Sequence, residues 1–121
     1  MEPVPLMSMR NDALWCGDVI RLPFNYATGP GSAPVDLMVY DPIDVGCGLG
    51  VMTVTGGKAG RTLSIFPEAS CPGGTRSLSL DWLRANWDTW FVYGHNELTP
   101  IPISQVVVLK NECYEIVPRK D

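Results

Sequence analysis

A catalytic nucleophile is commonly a serine or cysteine, and its base is commonly a histidine. This sequence has one histidine and four cysteines. A catalytic pair would need His95 to meet Cys16 or Ser104 in the folded chain. His95 lies in the turn-like sequence YGHNE, which favours a surface or hydrogen-bonding role. Pairs of carboxylates could also act as acid and base, but thirteen acidic residues on short strands make chance pairs common. We therefore predict no catalytic residue.

Metal and phosphate sites also lack their usual sequence patterns. No two cysteines have the CxxC spacing of a zinc or redox motif, so we expect reduced thiols and no metal site. The glycines at 46–50 precede a predicted strand, whereas dinucleotide-binding glycines follow a strand and open a helix. The segment TGGKAGRT at 55–62 lacks the GK[ST] ending of a phosphate loop and reads as a hairpin turn. No cofactor is predicted.

The charge distribution bears on the kind of partner. The net charge is −4, which disfavours nucleic acid because binding to phosphates depends on Lys and Arg. No Lys or Arg lies between Arg21 and Lys58 or within 85–109, and both stretches contain acids. These acids either keep the surface solvated or face a basic partner. The N-terminal sequence resembles neither a secretory signal nor a membrane span, so we expect a cytoplasmic protein.

The order of elements predicts an α+β, β-rich fold, namely an antiparallel curled sheet or small open barrel with one amphipathic helix packed on it. Length and composition fit a single β-rich domain over 14–118, after a loosely ordered N-terminal arm over 1–13 and before a charged tail over 119–121. The predicted strands alternate with loops rich in glycine and proline, and the clearest lie at 19–24, 35–40, 49–55, 61–66 and 105–110.

One helix is predicted after Ser79, whose hydroxyl can cap it. Leu80, Leu83 and Trp87 recur at helical spacing, so we expect them in the core, together with Trp15 at its start. Residues 88–93 are expected to straighten into another strand. Tryptophans at this spacing more often pack in a core than form a recognition surface.

Three segments together resemble a family of small immunity proteins from bacterial polymorphic-toxin systems. They are GDVIRLP at 17–23, VTGGKAGRTLSIFPE at 54–68, which contains a GxKAG hairpin, and SLDWLRANWDTWFVY at 79–93, which contains a WLxxNWxxW helix. The resemblance implies a cytoplasmic antidote, without catalysis, that binds a cognate toxin domain and blocks its active site.

The interface prediction follows from charge rather than from the resemblance. We expect the acids of the base-free stretches to face a basic cleft of a nuclease-like toxin, and the predicted interface is Asp36, Tyr40, Asp41, Asp44 and Glu97. Two other classes stay open at this point. One is a small β-barrel binding module for a peptide or other ligand, with aromatic side chains as its platform, and the other is an enzyme that uses His95 or a carboxylate pair.

Overall fold

A computed structural model describes residues 3–10, 13–23, 34–55, 59–93 and 98–111. It contains one α-helix, α1 (Leu80–Trp90), and ten strands. The strands are β1 (Val4–Pro5), β2 (Ala13–Leu14), β3 (Val19–Leu22), β4 (Val35–Tyr40), β5 (Cys47–Thr53), β6 (Thr62–Pro67), β7 (Leu78–Ser79), β8 (Val92–Tyr93), β9 (Thr99–Pro100) and β10 (Val107–Leu109). No helix in the described ranges has the length and apolarity needed to span a bilayer.

Six of the strands form one antiparallel sheet in the order β1-β10-β3-β4-β5-β6. The sequence VDLMVY of β4 explains its place, because Val35, Leu37 and Val39 are buried while the alternate residues are partly exposed. The predicted antiparallel, β-rich fold with one helix is confirmed. Its sheet is open, since β1 and β6 are not paired with each other in the described part of the chain.

Helix α1 begins where the sequence predicted, because the Ser79 hydroxyl accepts a hydrogen bond from the Trp82 backbone N–H at 3.2 Å. Leu80, Leu83 and Trp87 are buried and belong to the same core cluster as the inward residues of the sheet. The helix continues through Trp90, further than expected, and the next strand is only β8. The helix thus buries its apolar face in the core of the fold.

Aromatic rings fill much of the space between the helix and the sheet. Trp87 stacks on Phe91 with ring centroids 3.9 Å apart, and its indole N–H donates to the Ile101 carbonyl at 2.7 Å. Phe66 of β6 meets Trp82 and Trp90 edge-on, at centroid distances of 5.6 and 5.4 Å. Edge-to-face and stacked pairs of this kind add to the energy of simple burial.

The N-terminal segment is not the loose arm that the sequence predicted. Val4 pairs with Val108 of β10, and Leu6 is fully buried. The guanidinium of Arg84 on α1 donates to the Leu6 and Met9 carbonyls at 2.9 and 2.6 Å. These contacts fix residues 4–9 to the core, because backbone pairing and burial together offset the entropy of ordering the segment. The predicted tail at 119–121 lies outside the described residues.

Trp15 is also corrected, because it is 51% exposed and lies outside the core. Ala13 and Leu14 of β2 are both buried, whereas Trp15 follows the end of that strand. A turn then follows, in which the buried Asp18 carboxylate accepts from the Trp15 N–H at 2.8 Å. The core therefore begins before Trp15.

Candidate partner interface

The connection between β4 and β5, residues 41–46, is a short loop shaped by two aspartates. The Asp41 carboxylate accepts a hydrogen bond from the Ile43 N–H at 2.8 Å, and the Asp44 carboxylate accepts one from the Gly46 N–H at 2.9 Å. Each is an Asx turn, in which a short acidic side chain binds the backbone two residues further on. We call residues 41–46 the hairpin tip.

Arg76 fastens the hairpin tip to the rest of the fold. Its Nη2 lies 2.7 Å from one Asp41 carboxylate oxygen and its Nε 3.3 Å from the other, while Nη1 donates to the Cys47 carbonyl at 2.7 Å. The hydrogen bond from Arg76 lowers the pKa of Asp41 below its usual value, and the Ile43 N–H acts in the same direction. Asp41 therefore stays ionised and keeps both contacts over the neutral range.

The hairpin tip presents two aliphatic side chains to solvent. Ile43 is 91% exposed and Val45 is 85% exposed. Ile43 also has a φ of +57°, a left-handed conformation that costs a β-branched residue about 1–3 kcal/mol. The interface predicted from the sequence included Asp41 and Asp44 of this loop but neither aliphatic residue. The available signal was the pair Ile43 and Val45 in a short loop that also contains both aspartates.

Four of the five residues of the predicted interface lie in the described part of the chain, and their partners differ. Asp36 lies opposite Arg21 in the β3–β4 pairing and holds it through two bonds of 2.7 and 3.0 Å. Asp41 is held by Arg76, so both of these charges are compensated inside the chain. Asp44 is exposed and makes no ion pair in the described part of the chain, and Glu97 lies outside it.

Tyr40, the remaining predicted residue, lies on the face of the sheet opposite the helix. Its hydroxyl is 2.9 Å from the Thr62 hydroxyl, and its ring lies over Gly50, where an added Cβ would meet ring carbon Cε1 at 2.8 Å. Met38 and Met52 are partly exposed on the same face. Tyr40 is therefore fixed by contacts within the sheet and is only partly accessible to a partner.

Two exposed acids, Asp44 and Glu68, lie on the hairpin tip or beside it. Val45, Glu68 and Arg76 line one shallow recess beside it, and Glu68 is exposed. Because Arg76 is paired with Asp41, the exposed charges near the tip are those of Asp44 and Glu68. The arrangement can contact an apolar surface and attract basic groups around it.

The described residues do not assemble the catalytic or metal sites considered from the sequence. Burial, followed by the nearby Asp41 charge, raises the pKa of the Cys16 thiol, whereas a nucleophilic cysteine needs a lowered one. His95, its candidate partner, lies outside the described residues. Within the described ranges, no three His, Cys, Asp or Glu side chains come together as a metal site.

Comparison with known proteins assigns the chain to a family. No curated protein and no solved structure gives a significant match. The family model for immunity protein 45 matches residues 6–103, which include four of the six strands of the large sheet (β3 to β6), the hairpin tip and α1, but exclude β1 and β10. Because this match covers most of the 121 residues, the chain belongs to the immunity protein 45 family.

Proposed function

We propose that this chain is an antidote that binds a cognate bacterial toxin domain in the cytoplasm and neutralises it by covering its active site. The family match over residues 6–103 carries the proposal, since a member of an immunity family is expected to have a toxin as its partner. The chain acts by binding and performs no catalysis. The hairpin and helix segments resemble those of immunity proteins from polymorphic-toxin systems, which also supports a toxin as the partner.

We propose further that the toxin presents a basic cleft to the acidic side of the chain. The net charge of −4 and the exposed carboxylates of Asp44 and Glu68 support this choice. Asp36, Tyr40, Asp41 and Glu97 stay in the proposed interface, but Asp44 is the residue we expect to steer association. The reason is that Asp36 and Asp41 already have arginine partners, which weakens their field outside the protein.

The function is tested by expressing the toxin domain encoded beside this gene with and without the chain. We expect the toxin alone to arrest growth, the chain to restore it, and the two proteins to copurify. A toxin domain from an unrelated system serves as the specificity control and should not be neutralised. Failure of both rescue and copurification with the neighbouring toxin would sink the proposal.

The steering proposal is tested with Asp44→Asn, which removes the charge but keeps a side-chain oxygen for the Gly46 N–H. Asp88→Asn, an equal charge change at an exposed helix position, is the matched control. Association rates are compared at about 0.01 M and about 1 M salt, where the Debye lengths are about 30 Å and 3 Å. We expect Asp44→Asn to slow association several-fold at low salt only, because local charges raise association rates by steering. Equal rates for the two variants at low salt would exclude this role for Asp44.

A further inference from the structure

The two aliphatic side chains of the hairpin tip are placed where water, rather than the core, surrounds them. Single exposed apolar residues are common on protein surfaces and need no explanation. Ile43 and Val45 differ because they are two residues apart on one short loop and are among the most exposed large apolar side chains in the described part of the chain. Their burial against another molecule would remove apolar surface from water at little cost in ordering.

The backbone of Ile43 has a left-handed conformation that isoleucine rarely adopts. Left-handed backbone is readily adopted by Gly and tolerated by Asn or Asp, whereas a branched side chain there is strained. At Ile43 the strain is maintained by the bond from its N–H to Asp41. Such strain persists only where surrounding contacts determine the backbone, and it concentrates at binding and switch sites.

Arg76 anchors the hairpin tip. Its guanidinium donates to the Asp41 carboxylate and to the Cys47 carbonyl at the start of β5, so one side chain contacts both ends of the hairpin tip. A loop already fixed in one shape loses less conformational entropy on binding. The tip is therefore suited to enter a preformed recess.

The charges beside the tip indicate what surrounds that recess. Asp44 is on the tip itself, and Glu68 lines the adjoining recess with Val45. Both are exposed acids, and the nearby arginine is neutralised by Asp41. A matching surface would place an apolar pocket at its centre and Lys or Arg side chains at its rim.

We propose that Ile43 and Val45 form an apolar plug that enters a pocket of the cognate toxin whose rim is basic. This inference rests on the proposed function and assigns its central contact. The plug governs how long the complex lasts, because buried apolar anchors act mainly on dissociation, whereas Asp44 and Glu68 govern how fast it forms. Tight binding and electrostatic steering thus come from neighbouring residues of one loop region.

The test measures binding of the purified toxin domain encoded beside this gene to the full chain and its variants. Ile43→Asn removes the apolar side chain and places at this position a residue that tolerates left-handed backbone. Val45→Ser is made separately, at a residue without positive φ, and the two changes are then combined. Met7→Asn is the matched control, because Met7 is an apolar side chain that is 54% exposed and lies on the short 3-10 helix Leu6–Ser8 rather than on the hairpin tip.

We expect the double variant to lose affinity about a hundredfold or more, which corresponds to about 2.8 kcal/mol at 1.4 kcal/mol per tenfold. Most of the loss should lie in a faster dissociation rate, and it should persist at high salt. The thermal midpoint of Ile43→Asn should equal or exceed that of the wild type, and Met7→Asn should bind normally.

If the affinities of Val45→Ser and of the double variant both stay within threefold of the wild type, the plug is overturned while the proposed function is left intact. A wild-type chain that binds and protects against no neighbouring toxin would overturn both. An equal loss of affinity in Met7→Asn would also overturn the plug, because the loss would then not depend on the hairpin tip.

Discussion

Replacing Trp87 by alanine tests whether the helix holds the core of this fold together. The side chain is 1% exposed, stacks on Phe91 at 3.9 Å and donates to the Ile101 carbonyl at 2.7 Å. Truncating a buried tryptophan costs about 3–5 kcal/mol. The buried carbonyl left without its donor adds about 1–3 kcal/mol. We therefore expect Trp87→Ala to lose about 4 kcal/mol or more, a large part of the 5–15 kcal/mol typical of a domain.

Urea unfolding followed by far-ultraviolet circular dichroism measures this loss without depending on tryptophan fluorescence. Trp87→Phe separates its two causes, since it keeps a ring to stack on Phe91 but cannot donate to Ile101. Trp15→Ala is the matched control and should change stability by less than about 1 kcal/mol, because half of its surface is already in water.

A stability for Trp87→Ala within about 1 kcal/mol of the wild type would exclude this role for Trp87, since the expected loss is about 4 kcal/mol or more. The role is equally excluded if Trp15→Ala costs as much as Trp87→Ala. Unchanged stability combined with lost toxin binding would show that the helix is a recognition element instead of a part of the core.

Three further changes probe the cap, the sheet and the base of the hairpin tip. Ser79→Ala should lower stability in urea by about 1 kcal/mol, because the first turn of α1 loses its side-chain cap, and an unchanged midpoint would exclude that role. Gly50→Ala should cost about 1–3 kcal/mol in the same assay, because the new Cβ would lie 2.8 Å from both the Tyr40 ring and a backbone oxygen of β6; no loss would mean that the sheet yields freely. Asp41 has a lowered pKa in the fold, so its contribution is complete above its ordinary pKa of about 3.9 and is lost as pH falls through the lower folded value. Asp41→Asn, which weakens the contact with Arg76, should therefore destabilise the chain at neutral pH and flatten its acid unfolding below about pH 4. Parallel stability–pH curves for Asp41→Asn and the wild type would contradict this linkage.

The elements with strong local signals could be predicted from the sequence. The alternation in VDLMVY predicted β4, and Ser79, which precedes an apolar helical face, predicted the start of α1. Both depend on neighbours a few residues apart, which a sequence displays directly. Leu63 and Ile65 show the limit of such patterns. They alternate as a strand should, yet both are exposed, because β6 is an edge strand whose pairing with β5 shifts register.

Contacts between distant parts of the chain were beyond local pattern. Val4 pairs with Val108, which is far away in the sequence. This pairing makes Val4 and Pro5 a strand, although the sequence predicted a loosely ordered arm there. Arg76 and Asp41 are 35 residues apart, and only the fold brings them together. That contact changed the candidate site, since it neutralised one predicted interface charge and fixed the loop that carries Ile43. A signed count of charges cannot anticipate which acids are already paired.

The proposed function depends on direct binding of the cognate toxin by this chain. Calorimetric titration of the purified toxin domain encoded beside the gene with the purified chain tests it most directly. We expect an equimolar complex with a dissociation constant of about 1 nM or below, which corresponds to about −12.3 kcal/mol, and a negative heat-capacity change from buried apolar surface. The absence of binding at micromolar concentrations of both folded proteins would contradict it.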